Sequence, residues 1–230
     1  MIITLDGPVA SGKSTVSRML AQKLGYYYLN SGALYRALGY LLVNKYGYTE
    51  QSVAHPTTED ITNCCNPSRF SYQYDAQHRE RIFFDGVNIT PYLKDRLMDK
   101  IASIVSVNEQ VRKAVTQMQR DIARKYNIVT DGRDVGSVVF SHAEVKFFIT
   151  ASVEVRAQRW KKDQEKYGNH ISYEEAINLI TDRDNRDMHR TIAPLIIPLG
   201  AIIIDTSDLT LDQTLAKMIE CIKNYSQSVL

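Results

Sequence analysis

The chain has 230 residues, of which 44% are hydrophobic and 23% are charged. This composition predicts a folded globular protein with one large domain and excludes wholesale disorder. With 28 Lys and Arg against 26 Asp and Glu, the formal net charge is +2, so we expect no nucleic-acid partner, although a local anion site stays possible.

The cysteines and the apolar segments indicate the cellular compartment in which the protein is located. The odd set Cys64, Cys65 and Cys221 has no zinc-ligand spacing and predicts reduced thiols. The apolar run at the amino terminus stops at Asp6, which is too early for a signal peptide. Two prolines and a glycine interrupt the apolar stretch 192–204. We therefore expect a soluble cytoplasmic protein that does not enter a membrane.

The amino-terminal part of the chain alternates predicted strands and helices. Ile2–Asp6 is a short β-branched run typical of a buried strand. A helix pattern begins at Gly12 and is expected to stop at Gly25. A second strand is predicted at 26–30, and a turn at Ser31 then leads into another helix. This order favours a parallel sheet with crossover helices.

The pattern changes in the middle of the chain and then returns to alternation. Aromatic and polar residues alternate from Phe70 to Tyr74, and the Asp85-Gly86 pair lies between two apolar runs, which predicts a β-hairpin. The segment 61–93 is therefore expected to be a small antiparallel insertion. Further helices are predicted within 94–126 and at 152–166, 173–190 and 211–224, with strands at 128–131, 145–149 and 201–205.

The segment from Gly7 to Ser14 decides the class of protein. It fits G-x-x-x-x-G-K-[ST] and lies between a predicted strand and a predicted helix. Backbone N–H groups in such a loop converge on phosphate oxygens, and the helix dipole adds positive charge. Lys13 can bridge the β- and γ-phosphates, and the Ser14 hydroxyl can bind Mg²⁺. The sequence therefore predicts a P-loop that binds a nucleotide.

Three further groups of charged residues follow predicted strands or share one helix face. Arg36 lies just past Ser31, and Arg133 with Asp134 follows the strand at 128–131. Strand ends in an open parallel sheet are where ligands bind. Arg183, Asp187 and Arg190 are spaced to share a helix face, and Arg156 and Arg159 lie upstream. Cations that surround a transferring phosphoryl group, on a lid that excludes water, are typical of a small-molecule or nucleotide kinase.

Taken together, these segments resemble the bacterial cytidylate kinases, a family of P-loop nucleoside monophosphate kinases. The resemblance covers nearly the whole chain, and its family-specific stretches are D-G-R-D-x-G at 131–136 and R-x-x-A-P-L at 190–195. It implies an α/β, adenylate-kinase-like P-loop fold with a five-stranded parallel sheet flanked by helices. In a single domain of 1–230, it implies that 61–93 binds the nucleoside monophosphate and that about 156–190 is an arginine-rich lid.

The resemblance implies transfer of the ATP γ-phosphoryl group to CMP or dCMP, with Mg²⁺ as cofactor and a monomer as the working form. Arg36 and Arg133 would bind the acceptor phosphate. The residues implied around cytosine are Ser31, Arg112, Asp134 and Arg190, and those around the ribose are Ser103, Arg183 and Asp187. The residues implied for ATP are Gly7, Pro8, Val9, Ala10, Ser11, Gly12, Lys13, Ser14, Thr15, Arg156 and Arg159. Lys13, Arg133 and Arg183 would be catalytic, and Ser14 would bind the metal ion.

One position departs from the family, and two alternative functions stay open. The family often has Asp before the Ser-Gly pair, where this chain has Asn30; a neutral amide still accepts hydrogen bonds, so we expect activity to survive. The closest alternative is a kinase of the same architecture that phosphorylates UMP, AMP or shikimate. A nucleotide-dependent switch is a different class, and the arginines beyond the P-loop disfavour it, because a switch needs no second anion site.

Overall fold

The strand predicted at the amino terminus is the middle strand of a parallel sheet. In the computed structural model, which describes residues 1–94, 96–166 and 168–228, Ile3, Thr4 and Leu5 are all fully buried. Side chains on both faces of this strand are therefore covered, as expected for a parallel sheet that lies between layers of helices.

Strands and helices alternate over most of the described chain. The strands are β1 (Ile2–Asp6), β2 (Tyr27–Asn30), β3 (Phe70–Tyr74), β4 (Glu80–Phe84), β5 (Val87–Asn88), β6 (Ile128–Gly132), β7 (Val145–Thr150) and β8 (Ile202–Asp205). The helices are α1 (Lys13–Leu24), α2 (Ser31–Tyr46), α3 (Thr58–Cys64), α4 (Arg96–Val105), α5 (Glu109–Ala123), α6 (Val153–Lys166), α7 (Tyr173–His189) and α8 (Leu211–Ser228).

The described strands form two sheets. The first has five strands in the order β2-β6-β1-β7-β8. Strand β1 pairs in parallel with β6 and β7, and β7 pairs in parallel with β8, which confirms the predicted five-stranded parallel sheet. Its register places Asp6 beside Gly132 on one side and beside Phe148 on the other. The carboxyl ends of β1 and β6 therefore lie next to each other, and the loops that follow both strands begin at one edge of the sheet.

The second sheet is the small antiparallel one predicted for the middle of the chain. It has the order β3-β4-β5 among the described residues. Asp85 and Gly86 connect β4 to β5 with φ values of 48° and 79°. Two consecutive residues with left-handed φ are the requirement of a tight two-residue hairpin turn, which explains why the Asp-Gly pair predicted it.

The chain divides into two compact units: Met1–Tyr26 with Ile128–Leu230, and Tyr27–Asn127. The core of the first unit includes Ile128, Phe147 and Ile149, which are fully buried. The second unit contains α2 to α5 and the antiparallel sheet. The single domain, with its insertion at 61–93 and lid at about 156–190, stays a prediction.

Some local features were not predicted or end differently. Helix α3 and a short π-helical turn at Val135–Val139 were not foreseen from the sequence. Helix α7 ends at His189, so Arg190 is an extended residue just beyond the helix. The three cysteines are free thiols, as expected. Across the residues described, no helix is both long and apolar enough to cross a bilayer.

Candidate active site

The P-loop joins β1 to α1 in a conformation that depends on glycine. Gly7 has a φ of 151°, and a Cβ there would lie 2.0 Å from the backbone oxygen of Ile149. Ala10 has a left-handed φ of 59°. Gly12 precedes α1 and supplies no side-chain cap, so no side chain of that residue competes for the first N–H groups of the helix. This arrangement suits an anion at the helix amino terminus.

Lys13 and Ser14 are held by groups close to the loop. Lys13 is 5% exposed, and its Nζ donates to the backbone oxygen of Pro8 at 2.7 Å. Burial, followed by the positive charge of Arg133, lowers the pKa of Lys13 well below its usual value. Ser14 Oγ donates to Asp131 Oδ2 at 2.5 Å. The P-loop thus presents its cation and its hydroxyl at the carboxyl edge of the sheet.

A buried carboxylate at the end of β1 fixes the loop that follows β6. The two oxygens of Asp6 accept hydrogen bonds from the N–H groups of Val135, at 2.8 Å, and Gly136, at 2.7 Å. Burial raises the pKa of Asp6 to about 7, against the lowering effect of these two donors. The loop that carries Arg133 and Asp134 is therefore tied directly to the residue that precedes the P-loop.

Arg133, Asp187 and Arg190, predicted from separate segments, lie together in the first unit. Arg133 Nε donates to Asp187 Oδ2 at 2.7 Å, and Arg190 Nη1 lies 3.9 Å from Asp187 Oδ1. Arg190 Nη2 also lies 3.5 Å from Asp134 Oδ1. Burial raises the pKa of Asp187, but Arg133, Arg183 and Arg190 outweigh it and hold that pKa below its usual value. The cluster is an ordered set of donors with one shared carboxylate.

Arg156 lies in a different environment from Arg133. It is 6% exposed, and its guanidinium donates to the backbone oxygens of Ala151, at 3.0 Å, and Val9, at 3.1 Å. It also forms a buried ion pair with Asp184. The structure therefore places Arg156 against the backbone of the P-loop.

Arg159 lines a cavity beside the P-loop. The cavity measures about 460 Å³, and its walls include Ser11, Thr15 and Lys162. Arg159 Nη2 donates to the backbone oxygen of Thr206 at 2.7 Å, and Nη1 donates to the Thr206 hydroxyl at 3.0 Å. Burial lowers the pKa of Arg159. Because the cavity opens on the P-loop residues, it is placed to take the part of a nucleotide that extends beyond its phosphates.

The second unit orders the segment that begins α2. Asn30 caps the helix, with Oδ1 accepting from the Ala33 N–H at 3.1 Å, and Ser31 is the first helical residue. Arg36 lies one turn further on, where Nη1 donates to Asp99 Oδ1 of α4 at 3.2 Å. The structure therefore orients Arg36 through an ion pair in the same unit.

The other two predicted residues of the second unit meet through Ser106. Ser106 Oγ donates to the backbone oxygen of Ser103 at 2.9 Å, and Arg112 Nη1 donates to the backbone oxygen of Ser106 at 3.0 Å. The Arg112 guanidinium is 5.7 Å from the centre of the Tyr35 ring. Arg112 of α5 is therefore a buried cation held by the Ser106 backbone, just after α4, and by the Tyr35 ring of α2.

Sequence reasoning missed three carboxylates of the first unit. Asp131 accepts from Ser14, Asp6 holds the loop after β6, and Asp184 pairs with Arg156. Asp131 and Asp184 lie within the motifs that were singled out, so position at a strand end or within an arginine-rich helix was the available signal. No group of three or more His, Cys, Asp and Glu side chains suited to a metal ion occurs among the residues described.

The chain is similar to known proteins over nearly its full length. Residues 3–224 match the cytidylate kinase family. A cytidylate kinase of Caldanaerobacter subterraneus subsp. tengcongensis is 37% identical over 225 residues, which are 98% of this chain and 96% of that protein. A cytidylate kinase of Carboxydothermus hydrogenoformans is 36% identical over 222 residues, 96% and 97% of the two chains. An uncharacterized protein from Eubacterium ventriosum shares the fold, with a TM-score of 0.53 at 14% identity over 97% and 98% of the two chains.

Proposed function

Because this chain belongs to the cytidylate kinase family, we propose that it transfers the γ-phosphoryl group of ATP to CMP or dCMP. The products are CDP or dCDP and ADP. The observation that carries the proposal is the cluster of Arg133, Asp187 and Arg190, which supplies a second set of anion-binding donors in the unit that contains the P-loop. Transfer to an acceptor that carries a phosphate requires a second anion site, whereas binding of ATP alone does not.

ATP would bind with its phosphates in the P-loop and its remaining part in the cavity beside Arg159. Ser11 Oγ supports this placement, since it is buried and has no hydrogen-bond partner among the described residues. An unsatisfied buried hydroxyl is costly, and a phosphate oxygen would satisfy it. Lys13 would leave the Pro8 oxygen and turn to the phosphates.

The hydroxyl of Ser14 and the carboxylate of Asp131 fit Mg²⁺, which prefers oxygen ligands and is usually held by few protein groups together with phosphates. Their 2.5 Å hydrogen bond places both oxygens at one point of the sheet edge. When bound, Mg²⁺ would supply neutralisation of charge on the phosphates. The assignment adds Asp131 to Ser14, the one residue predicted from sequence.

Each unit carries charged and polar side chains to which we assign a role in acceptor binding. In the first unit, Arg133 would bind the 5′-phosphate, Arg183 and Asp187 the ribose, and Asp134 and Arg190 the cytosine. In the second unit, the residues that the family implies are Arg36 for the phosphate, Ser103 for the ribose, and Ser31 and Arg112 for the cytosine. Ion pairs orient Arg36 and Arg133, and a backbone contact orients Arg112, which favours binding without a large ordering cost.

The reaction does not require a strong general base. An oxygen of the CMP 5′-phosphate, already deprotonated near neutral pH, forms the new bond to the γ-phosphorus, while the bond from that phosphorus to the bridging oxygen of ADP breaks. Lys13, Arg133 and Arg183 would surround the transferring group and stabilise its charge. Catalysis would therefore come from positioning and from electrostatic stabilisation.

The test is an assay of ADP formation from Mg·ATP, with CMP, dCMP, UMP, AMP, GMP and shikimate offered separately and a control without acceptor. Turnover selective for CMP and dCMP is the expected result. Turnover with a different acceptor alone would overturn the acceptor assignment, and ATP hydrolysis independent of any acceptor would indicate a nucleotide-dependent switch.

A further inference from the structure

Two buried side chains hold the backbone of one P-loop residue, Val9, through its N–H and its C=O. Arg156 Nη1 donates to the backbone oxygen of Val9 at 3.1 Å, and Asp184 Oδ1 accepts from the backbone N–H of Val9 at 3.0 Å. The two side chains also pair with each other. They are 6% and 3% exposed, so the contact is shielded from water and from salt.

The same residue is anchored through its side chain. Val9 is 4% exposed and packs in an apolar cluster with Ala157 of α6 and with Ala176 and Ile180 of α7. The next residue, Ala10, has the left-handed φ that non-glycine residues rarely adopt. A strained backbone persists only where its surroundings fix it. The surroundings that fix this one are α6 and α7, the helices that carry Arg156 and Asp184.

Helix α7 makes a second contact of the same kind one turn further on. Asp187 follows Asp184 by three residues, so the two carboxylates lie on neighbouring turns of one helix face. Asp184 reaches the P-loop through Val9, and Asp187 binds Arg133 of the loop after β6. One helix therefore connects the phosphate-donor loop to the arginine proposed for the acceptor phosphate.

We propose that Arg156 and Asp184 are positioning residues that set the conformation of the P-loop through Val9, and that Arg156 does not contact ATP itself. This inference rests on the proposed function and departs from the expectation that Arg156 faces ATP. Because Asp184 accepts from the Val9 N–H, that group is withdrawn from phosphate binding. The remaining N–H groups of the loop are oriented by the fixed backbone of Val9. A buried pair that serves geometry need not add stability.

The deciding variant replaces the ion pair with apolar side chains, as Arg156→Met together with Asp184→Leu. Buried pairs replaced by apolar residues of similar volume often keep or gain stability, so the double variant is expected to fold. Its Kd for Mg·ATP, measured by calorimetry without acceptor, is expected to rise roughly 10- to 100-fold, the loss expected when a charge-assisted hydrogen bond between the loop and a phosphate is misaligned. Its Kd for CMP alone is expected to change little, because Arg133 and Asp187 are intact.

The conservative variant Asp184→Asn gives an independent reading. Its amide oxygen still accepts from Val9, while the charge that holds Arg156 is lost, so its Kd for Mg·ATP is expected to lie between wild type and the double variant. The matched control is Arg124→Met with Asp121→Leu, which removes an exposed ion pair; wild-type binding is expected.

The outcomes separate this inference from the proposed function. Wild-type Mg·ATP affinity in the folded double variant, with CMP phosphorylation intact in the parent protein, would overturn the positioning role and leave the function standing. Failure of the parent protein to phosphorylate CMP would overturn the function. A weaker Mg·ATP complex in both Arg156/Asp184 variants, with CMP binding retained, supports the positioning role.

Discussion

Arg133 Nε donates to Asp187 Oδ2 at 2.7 Å, and this contact joins the loop after β6 to the carboxyl-terminal turn of α7. If Asp187 also binds the acceptor ribose, it has two roles, one in orienting Arg133 and one in binding substrate. Asp187→Ala removes a charge-assisted hydrogen bond, worth roughly 1.5–3 kcal/mol, and leaves Arg133 without its orienting partner. We expect kcat/KM for CMP to fall about 10- to 100-fold, as measured in steady-state kinetics at saturating ATP.

The matched control for Asp187 is Asp182→Ala, an exposed carboxylate on the same helix. We expect it to keep wild-type kinetics with both substrates. Unchanged CMP kinetics in Asp187→Ala would remove this residue from the acceptor site. A loss confined to the KM for ATP would instead assign Asp187 to the donor side.

Lys13 tests the P-loop assignment. Lys13→Ala removes the cation proposed to bridge the β- and γ-phosphates, and loss of one such electrostatic contact lowers kcat by about 10²- to 10³-fold or more. Folding should persist, because Lys13 is buried beside the like charges of Arg133 and Arg183. The measurements are kcat with CMP and a thermal melt, with the exposed Lys23→Ala as control. Near-normal turnover in the folded variant would contradict a phosphate-binding role.

Local chemistry made much of the fold predictable. The β1 run, the Gly25 stop of α1 and the Asp85-Gly86 hairpin each depend on residues a few positions apart, and all three are found where the sequence placed them. The order of strands and helices along the chain was sufficient to predict a parallel sheet. These predictions held because turn and cap geometry is decided by neighbouring residues.

Long-range partners were not predictable in the same way. The Ser14–Asp131 contact joins residues 117 positions apart. Helical spacing placed Arg156 on α6, but it does not say which face of a helix is buried, so the position of Arg156 against Val9 came only from the fold. Which side chains form these long-range hydrogen bonds depends on how the helices and strands pack. That packing cannot be read directly from a single sequence.

The family often has Asp at the position of Asn30. In this chain the Asn30 amide donates a hydrogen bond to a neighbouring carboxylate of the second unit, which an Asp side chain could not do. Its Nδ2 donates to Glu80 Oε1 at 3.2 Å, while the Tyr72 hydroxyl donates to Glu80 Oε2 at 3.1 Å. Asn30→Asp keeps the cap on Ala33 but replaces a donor with a second carboxylate facing Glu80. We expect a loss of about 1 kcal/mol in the free energy of unfolding at pH 7.

A double-mutant cycle checks this explanation of Asn30. Glu80→Gln removes the facing charge, so Asn30→Asp in that background should cost much less than in the wild type. Urea denaturation of the four proteins gives the coupling. Equal costs of Asn30→Asp in both backgrounds would show that Glu80 is not the reason for the amide.

Asp6 predicts how stability varies with pH. Burial raises its pKa from 3.8 to about 7, so between these values the folded protein holds a proton that the unfolded chain has released. The free energy of unfolding therefore falls as pH rises through this window, by at most about 1.4 kcal/mol per pH unit, and the loss is complete above pH 7. Asp6→Asn cannot release this proton. We expect the wild type to lose stability relative to Asp6→Asn as pH rises from 5 to 8, as measured by urea denaturation at each pH.

The control for Asp6 is Asp212→Asn, at an exposed position. Its free energy of unfolding should follow that of the wild type at every pH. Parallel curves for Asp6→Asn as well would mean that the Val135 and Gly136 N–H groups keep Asp6 ionised throughout.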